Sequence, residues 1–274
     1  MELGIVAQRG NVAAGDLAGE MRAALRDRDV DVLVDETTGD HLGVDGVPVE
    51  RMADCPLVVS VGGDGTFLYV ARGVGSTPIL GINLGEVGFL NAVSPAEATD
   101  RVLAAVERIR ETGEPRYREV RRLSATADGL SVPPALNEIV VQGPQRGRGN
   151  GLDVAVRVDG STYVDTHADG VLVATPTGST AYSLSEGGPL VHPDVDGLVV
   201  NGMATVEPMR PVVVPPDATV EIEATGADHA VVASDGSERR TVATPATIAV
   251  STTAEPGRIA GPQSDFFRAL TKLE

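Results

Sequence analysis

The sequence predicts an α/β amino-terminal domain built on a doubly wound parallel sheet. An all-β, sandwich-like domain follows, and a carboxy-terminal segment returns to the first domain. Two observations carry this. Up to about residue 112, short apolar runs alternate with stretches whose apolar residues recur every three or four positions, the pattern of strands and crossover helices. From residue 118 the runs become short and closely spaced, with Pro, Gly and Asp in the turns, the pattern of antiparallel sheets. A third observation concerns function: two glycine-rich loops directly follow strands of the first half, where parallel sheets bind ligands.

In order, residues 3–7 read as a buried strand, 13–28 as a helix and 30–34 as a second strand. Residues 57–61 form a third strand that runs into Gly62-Gly63-Asp64-Gly65-Thr66, and 66–72 begin a helix. Residues 78–82 are a strand leading to Asn83-Leu84-Gly85-Glu86-Val87-Gly88-Phe89-Leu90. Residues 95–110 open on proline and carry the stripe Ala98, Val102, Ala105, Val106, Ile109, a helix with a proline start. Strands are expected at 120–127, 138–142, 152–158, 171–175, 199–200, 211–214, 219–224, 230–234 and 246–251. Residues 265–273 read as helix, and 143–151, with four glycines and two arginines, as a mobile surface loop. The expected divisions are 1–117, 118–257 and 258–274.

The 274 residues carry 39 acidic and 22 basic side chains, for a net charge of −17, and the only lysine is Lys272. Such a surface repels itself, and concentrated salt screens that repulsion. The fold is therefore expected to require molar salt: thermal melting should rise steeply from dilute buffer to molar KCl, and equal melting in both would refute this. The charge argues against nucleic acid as a partner. Cys55 is the single cysteine, so no intramolecular disulfide or multi-cysteine zinc site forms, and it is expected to be a small buried side chain. No apolar run approaches the roughly 20 residues of a membrane span. No basic-apolar leader opens the chain, and cytoplasmic residence is the expectation.

Asp64, fixed among glycines after a buried strand, is the first candidate for catalysis or ligand binding. The loop is neither a P-loop, which needs a Gly-Lys-Ser/Thr ending, nor a Rossmann fingerprint. Its amides and the following helix N-terminus could still hold phosphate. Asn83, Gly85 and Gly88 form a second such loop. Asn137-Glu138 fits a turn and a ribose-binding pair equally well. Asp169-Gly170 leads through a strand to Thr175-Pro176-Thr177-Gly178-Ser179-Thr180-Ala181-Tyr182, with a helix expected near Thr180. The hydroxyls of Thr177, Ser179, Thr180, Ser183 and Ser185 suit a polyhydroxylated or phosphorylated ligand, and Tyr182 could stack or hydrogen-bond. No Gly-x-Ser-x-Gly elbow accompanies them. His167 reads as a phosphate or amide contact or as a surface residue, and Asp235-Gly236 reads locally as a hairpin turn.

Taken together, these motifs resemble the NAD kinase family, the ATP- or polyphosphate-dependent NAD kinases. The ordered set carries the resemblance: the Asp64 loop, Asn83-x-Gly85-x-x-Gly88-Phe89-Leu90, Asn137-Glu138, Asp169-Gly170 through Ser185, Gly187-Gly188-Pro189, and the closing Lys272-Leu273. The Asp64 loop alone is less specific, since phosphofructokinases and lipid kinases carry similar loops. With the acidic composition, the resemblance implies a member from a halophilic archaeon. It implies that Asp64 is the proton acceptor and that Gly65 and Phe67 border the adenosine of NAD. Asn137 and Glu138 would bind ribose and the adjoining moiety, and Asp169 the nicotinamide end. Thr180, Ala181, Tyr182, Ser183, Leu184 and Ser185 match the dinucleotide-binding segment, Asp235 is a further contact, and Arg148 corresponds to a basic residue near the nucleotide. His167 stands where many members have Arg. The resemblance also implies Mg²⁺ or another divalent ion, NAD and ATP or polyphosphate as substrates, and a homodimer or homotetramer whose dinucleotide site lies partly at a subunit interface. No metal ligands are identified. Where many members have Pro-His-x-Leu-x-x-Arg-Pro, this chain reads Val206-Glu207-Pro208-Met209-Arg210-Pro211, keeping only Arg-Pro. Two rival readings are a kinase with another acceptor and an inactive NAD(P)-binding sensor.

Overall fold

A computed structural model describes all residues except 86, 87, 148 and 272–274. The chain divides into two compact units, Met1–Val120 with the chain from Glu255 onward, and Arg121–Ala254.

In the first unit β1 (Glu2–Ala7) is buried from Leu3 onward, and α1 (Val12–Arg26) follows, capped by Asn11, whose side chain accepts the Ala14 amide. β2 (Asp31–Val34) leads to α2 (Glu36–Leu42), a helix the apolar periodicity does not reveal. Its signals are at its ends: Asp35 caps the Thr38 amide, and Gly43 closes it in the left-handed conformation. β3 (Val58–Gly62) runs into α3 (Asp64–Val74), which begins two residues before the expected start. Gly63 serves as N-cap, and Asp64 occupies the first turn, where the helix dipole favours an anion. β4 (Ile79–Asn83), a short 3₁₀ turn at Pro95–Glu97, α4 (Ala98–Thr112) and β5 (Tyr117–Val120) complete this part.

The second unit contains β6 (Leu123–Ala127), β7 (Leu130–Ser131), β8 (Glu138–Gln142), β9 (Leu152–Val158), β10 (Ser161–Ala168) and β11 (Gly170–Ala174). A 3₁₀ turn at Thr177–Thr180 and a single turn α5 (Tyr182–Ser185) stand where a helix starting near Thr180 was expected. β12 (Leu198–Met203), β13 (Val212–Val214), β14 (Val220–Thr225), β15 (His229–Ser234), β16 (Glu238–Ala243) and β17 (Ala246–Thr252) follow. They form two antiparallel six-stranded sheets, β10-β9-β14-β17-β6-β7 and β13-β12-β11-β8-β15-β16. One apolar core lies between the sheets, with Ile139, Val141, Val171, Val173 and Val200 from one and Val154, Val156, Ile222 and Ile248 from the other. The outward residues Val140, Leu172, Ala174 and Val199 are buried as well, under a cluster that includes Val191 and Tyr182. Burial on both faces explains why β8 and β11 read as continuous apolar runs instead of alternating ones. β10 and β16, missing from the sequence reading, are polar edge strands. Each is entered through an Asp-Gly turn, Asp159-Gly160 and Asp235-Gly236, with all four residues at positive φ.

The chain then returns to the first sheet. β18 (Gly257–Ala260) pairs parallel with β4 and antiparallel with β5, giving the order β2-β1-β3-β4-β18-β5. This pairing keeps β5 and the chain after Glu255 in the first unit. All pairs except β18–β5 are parallel. α6 (Phe266–Leu270) starts from its Asp265 cap, and the expected closing residues Lys272 and Leu273 lie outside the described residues. Cys55 is buried, which pushes its thiol up to about 11.

Candidate active site

Strand order reverses beside β1 and β3, and the Asp64 loop emerges there from the carboxyl end of β3. Donors on Phe89, Leu90 and Asn91 hold the Asp64 carboxylate. The Phe89 amide donates to Oδ2 at 3.1 Å, and the Leu90 amide donates to Oδ1 at 3.3 Å. The Asn91 side-chain amide donates to Oδ1 at 3.2 Å and reaches the Gly62 carbonyl at 3.4 Å. Burial raises the pKa of Asp64, and these hydrogen bonds oppose the rise. The two sequence loops thus form one structure. Gly88 eases the close approach: a Cβ there would stand a tight 3.1 Å from Asp64 Oδ1 and 3.2 Å from Asn91 Cβ. Asn83 turns its own loop by accepting the Gly85 amide at 2.8 Å. Beside Gly63 and Gly65 opens a cavity of about 470 Å³, lined also by Gln8, Arg9, Thr37 and Tyr69. Phe67 is 1% exposed, its ring turned into the protein.

The second unit gathers another group of polar side chains. Asp235 accepts the amides of Leu136 (3.0 Å), Asn137 (2.8 Å) and Glu138 (3.3 Å), so this turn residue fixes the entry to β8. Thr175 joins the same segment, its hydroxyl donating to the Leu136 carbonyl at 2.7 Å and its amide to the Asn137 carbonyl at 2.8 Å. Gly178 packs so closely on the Asn137 backbone that any Cβ would overlap it. Ser179 ties the loop together: its hydroxyl donates to Pro176 and accepts the Val191 amide. Within this frame Asn137 Oδ1, Glu138 Oε2 and Ser183 Oγ are buried with no hydrogen-bond partner among the described residues. Burial first, and the Asp235 charge second, push the Glu138 carboxyl up to about 8.

His167 and Asp169 hold the loop 143–151. The His167 ring contacts Asp153 Oδ1 at 2.8 Å through Nδ1 and the Asn150 carbonyl at 2.7 Å through Nε2, and the Asp153 hydrogen bond raises its pKa. Asp169 accepts the Gly147 amide at 2.9 Å. Arg146 lies over the Tyr182 ring at 5.6 Å. Thr180 donates to the Thr177 carbonyl at 3.2 Å; Thr180, Ala181 and Leu184 are half-buried, and Ser185 is exposed. Arg148 lies outside the described residues.

Residues 3–111 match the family described as ATP-NAD kinase N-terminal domain, and residues 127–260 match the ATP-NAD kinase C-terminal domain. The chain belongs to the NAD kinase family. It is 56% identical over 282 aligned positions to an NAD kinase of Haloarcula marismortui and 55% identical over 282 to one of Halobacterium salinarum, with all of each chain covered. Among solved structures, an NAD kinase from Archaeoglobus fulgidus in complex with ATP matches with a TM-score of 0.79 and 29% identity, covering 99% of this chain and 98% of that one. The likeness spans both units, so the chain is a phosphotransferase of the NAD kinase family, with relatives in halophilic archaea.

For this family member, the residue that sequence reasoning missed is Asn91, directly after the Gly88-Phe89-Leu90 run. A buried polar residue ending an apolar stretch was its only signal. The altered stretch at 206–211 is fastened to β10: the Val206 amide donates to the His167 carbonyl at 2.8 Å, the Glu207 amide to Thr166 Oγ1 at 3.0 Å, and the Tyr163 hydroxyl to the Arg210 carbonyl. Among the described residues no three His, Cys, Asp or Glu side chains are grouped to hold a metal, and no helix is long and apolar enough to cross a membrane.

Proposed function

We propose that the chain transfers the terminal phosphoryl group of ATP, or of polyphosphate, to the 2′-hydroxyl of the adenosine ribose of NAD, giving NADP. The observation that carries this reading is the Asp64 carboxylate, set at the start of α3 by the Phe89, Leu90 and Asn91 donors and made more basic by burial. Asp64 takes the hydroxyl proton as the ribose oxygen bonds to the terminal phosphorus. The bond from that phosphorus to the leaving phosphate oxygen breaks, and ADP or the shortened polyphosphate departs with the electron pair. Phosphoryl transfer is mostly positioning and charge neutralisation. Glycine-loop amides and the α3 N-terminus supply part of that. A divalent ion such as Mg²⁺, when bound, would neutralise charge on the donor phosphates, and such an ion is commonly held by one or two carboxylates. Asp35 lines the glycine-loop cavity, and Asp64 lies in the chain between its lining residues Gly63 and Gly65.

The dinucleotide roles follow the family pattern. Asn137 and Glu138 bind ribose, Asp169 the nicotinamide end, Gly65 and Phe67 border adenosine, and Thr177 and residues 180–185 bind the dinucleotide, with Asp235, His167 and Arg148 adjoining. The buried and unpartnered Asn137 Oδ1, Glu138 Oε2 and Ser183 Oγ support this, because native proteins seldom leave such atoms unsatisfied without a ligand or water. A cytoplasmic homodimer or homotetramer belongs to the same reading. Purified protein supplied with NAD and either ATP or polyphosphate in molar KCl should form NADP with at least one donor. Phosphorylation of another acceptor but not NAD would sink the assignment.

The Glu138 shift has a consequence for stability. The carboxyl ionises near its ordinary range when unfolded and near 8 when folded, so the folded state holds the proton longer. Its contribution is fully present below the unfolded value and lost as pH rises through about 8. Between these limits the slope approaches about 1.4 kcal/mol per pH unit. Glu138→Gln should flatten this part of the stability profile in ligand-free denaturant melts. Parallel wild-type and variant profiles from pH 5 to 8 would contradict it.

A further inference from the structure

A second cavity of the first unit, about 560 Å³, lies by α4, β5 and the turn after β18. Arg101, Arg108, Arg116 and Arg118 line it, and no carboxylate does among the described residues. In a chain of 39 acidic and 22 basic residues, that runs against the general charge. Helix and strand geometry account for the grouping. Arg101, Ala104, Ala105 and Arg108 fall at i, i+3, i+4 and i+7, one stripe of α4. Arg116 and Arg118 are two residues apart on and beside β5, so they point to one side. Arg101 is paired with Glu97 at 3.2 Å, whereas no ion pair among the described residues involves Arg108 or Arg116. Leu80, Ala104, Ala105 and Ala260 give the cavity an apolar floor. It shares no lining residue with the cavity at the glycine loop.

We propose that this arginine-lined cavity is a second ligand site, for a small, multiply phosphorylated anion of nucleotide size. Its volume falls within the range of about 300–1,000 Å³ usual for small-molecule sites. Guanidinium groups suit phosphate because they donate in paired, charge-assisted hydrogen bonds, and their planes also stack on bases. The apolar floor offers a surface for the uncharged part of such a ligand. The two cavities share no lining residue, so occupation of this site leaves the glycine loop open for catalysis.

Calorimetric titration of the full chain with inorganic tripolyphosphate in molar KCl tests this. Since tripolyphosphate can also enter the phosphoryl-donor site, the binding that counts is the part that changes at this cavity, with wild type showing one site more than donor binding alone. The double variant Arg108→Gln, Arg116→Gln removes two of the cations, and Ala104→Glu separately places a carboxylate on the floor. Both should weaken tripolyphosphate binding by at least about tenfold, the order expected for lost charge-assisted contacts. Both should keep NADP formation without tripolyphosphate within about twofold of wild type, since neither touches the catalytic loop. Should the double variant fail to fold, Ala104→Glu decides the question. No binding by wild type, or equal binding by wild type and the folded variants, overturns the proposal. So does a change in subunit number with binding unaltered, which would make this face a contact between copies.

Discussion

Asp64→Asn should lower turnover by about 10²–10⁴-fold, the usual contribution of a positioned general base. Its effect on the NAD dissociation constant should stay within about threefold, because the change removes a proton acceptor without removing bulk. The geometry makes this variant interpretable. Oδ1 accepts from Leu90 and the Asn91 side chain, and Oδ2 accepts from Phe89. An asparagine that keeps its oxygen toward Leu90 and Asn91 turns its amide nitrogen toward one backbone N–H. It forfeits one hydrogen bond, at a cost of about 1–3 kcal/mol. Burial of a neutral group offsets part of that, since burial disfavours the ionised carboxylate of the parent. A folded, NAD-binding variant with lost turnover is the expected outcome, read by stopped assays beside equilibrium binding and thermal melting.

The second large effect concerns stability. Asp235→Ala should destabilise the second unit by at least about 3 kcal/mol, because three buried amides lose their acceptor together and each unmet donor costs about 1–3 kcal/mol. Those amides belong to Leu136, Asn137 and Glu138, so the entry to β8 loosens and NAD affinity falls with it. Asp235 also has φ 46°, a conformation asparagine tolerates and alanine resists. The predicted order of melting temperatures is therefore wild type, then Asp235→Asn, then Asp235→Ala. An alanine variant as stable as wild type would show that Asp235 acts only as a turn residue.

These two aspartates differ in how much of their role the sequence reveals. Asp64 stands out because its loop is local: an apolar strand, three glycines and a helix start within a few residues. Asp235 reads as an Asp-Gly hairpin turn, and it forms one. Its hold on residues 97–99 positions earlier in the chain is visible only once β15 pairs beside β8. Asn91 is similar, since its bond to Asp64 spans 27 positions. The interior strands β3, β8 and β11 are legible because burial leaves unbroken apolar runs. β10 and β16 are not, because an edge strand can be polar and still complete a ladder. The short α2 escapes periodicity for want of length, although its Asp35 cap and Gly43 stop are written in the sequence. For the segment 175–185, the excess of hydroxyls signals a polar ligand. Packing divides the work among them, with Thr175 and Ser179 spent on holding the backbone and the Ser183 hydroxyl without a hydrogen-bond partner among the described residues.

The central claim is that Asp64 drives phosphorylation of the NAD ribose 2′-hydroxyl. The most direct measurement supplies wild type and Asp64→Asn with NAD, ATP and Mg²⁺ in molar KCl, quantifies NADP, and assigns the new phosphate by phosphorus NMR. Wild type should yield the 2′-phosphate, and Asp64→Asn should yield almost none over the same interval while still binding NAD. A phosphate at another position, or variant turnover within about threefold of wild type, would contradict the claim.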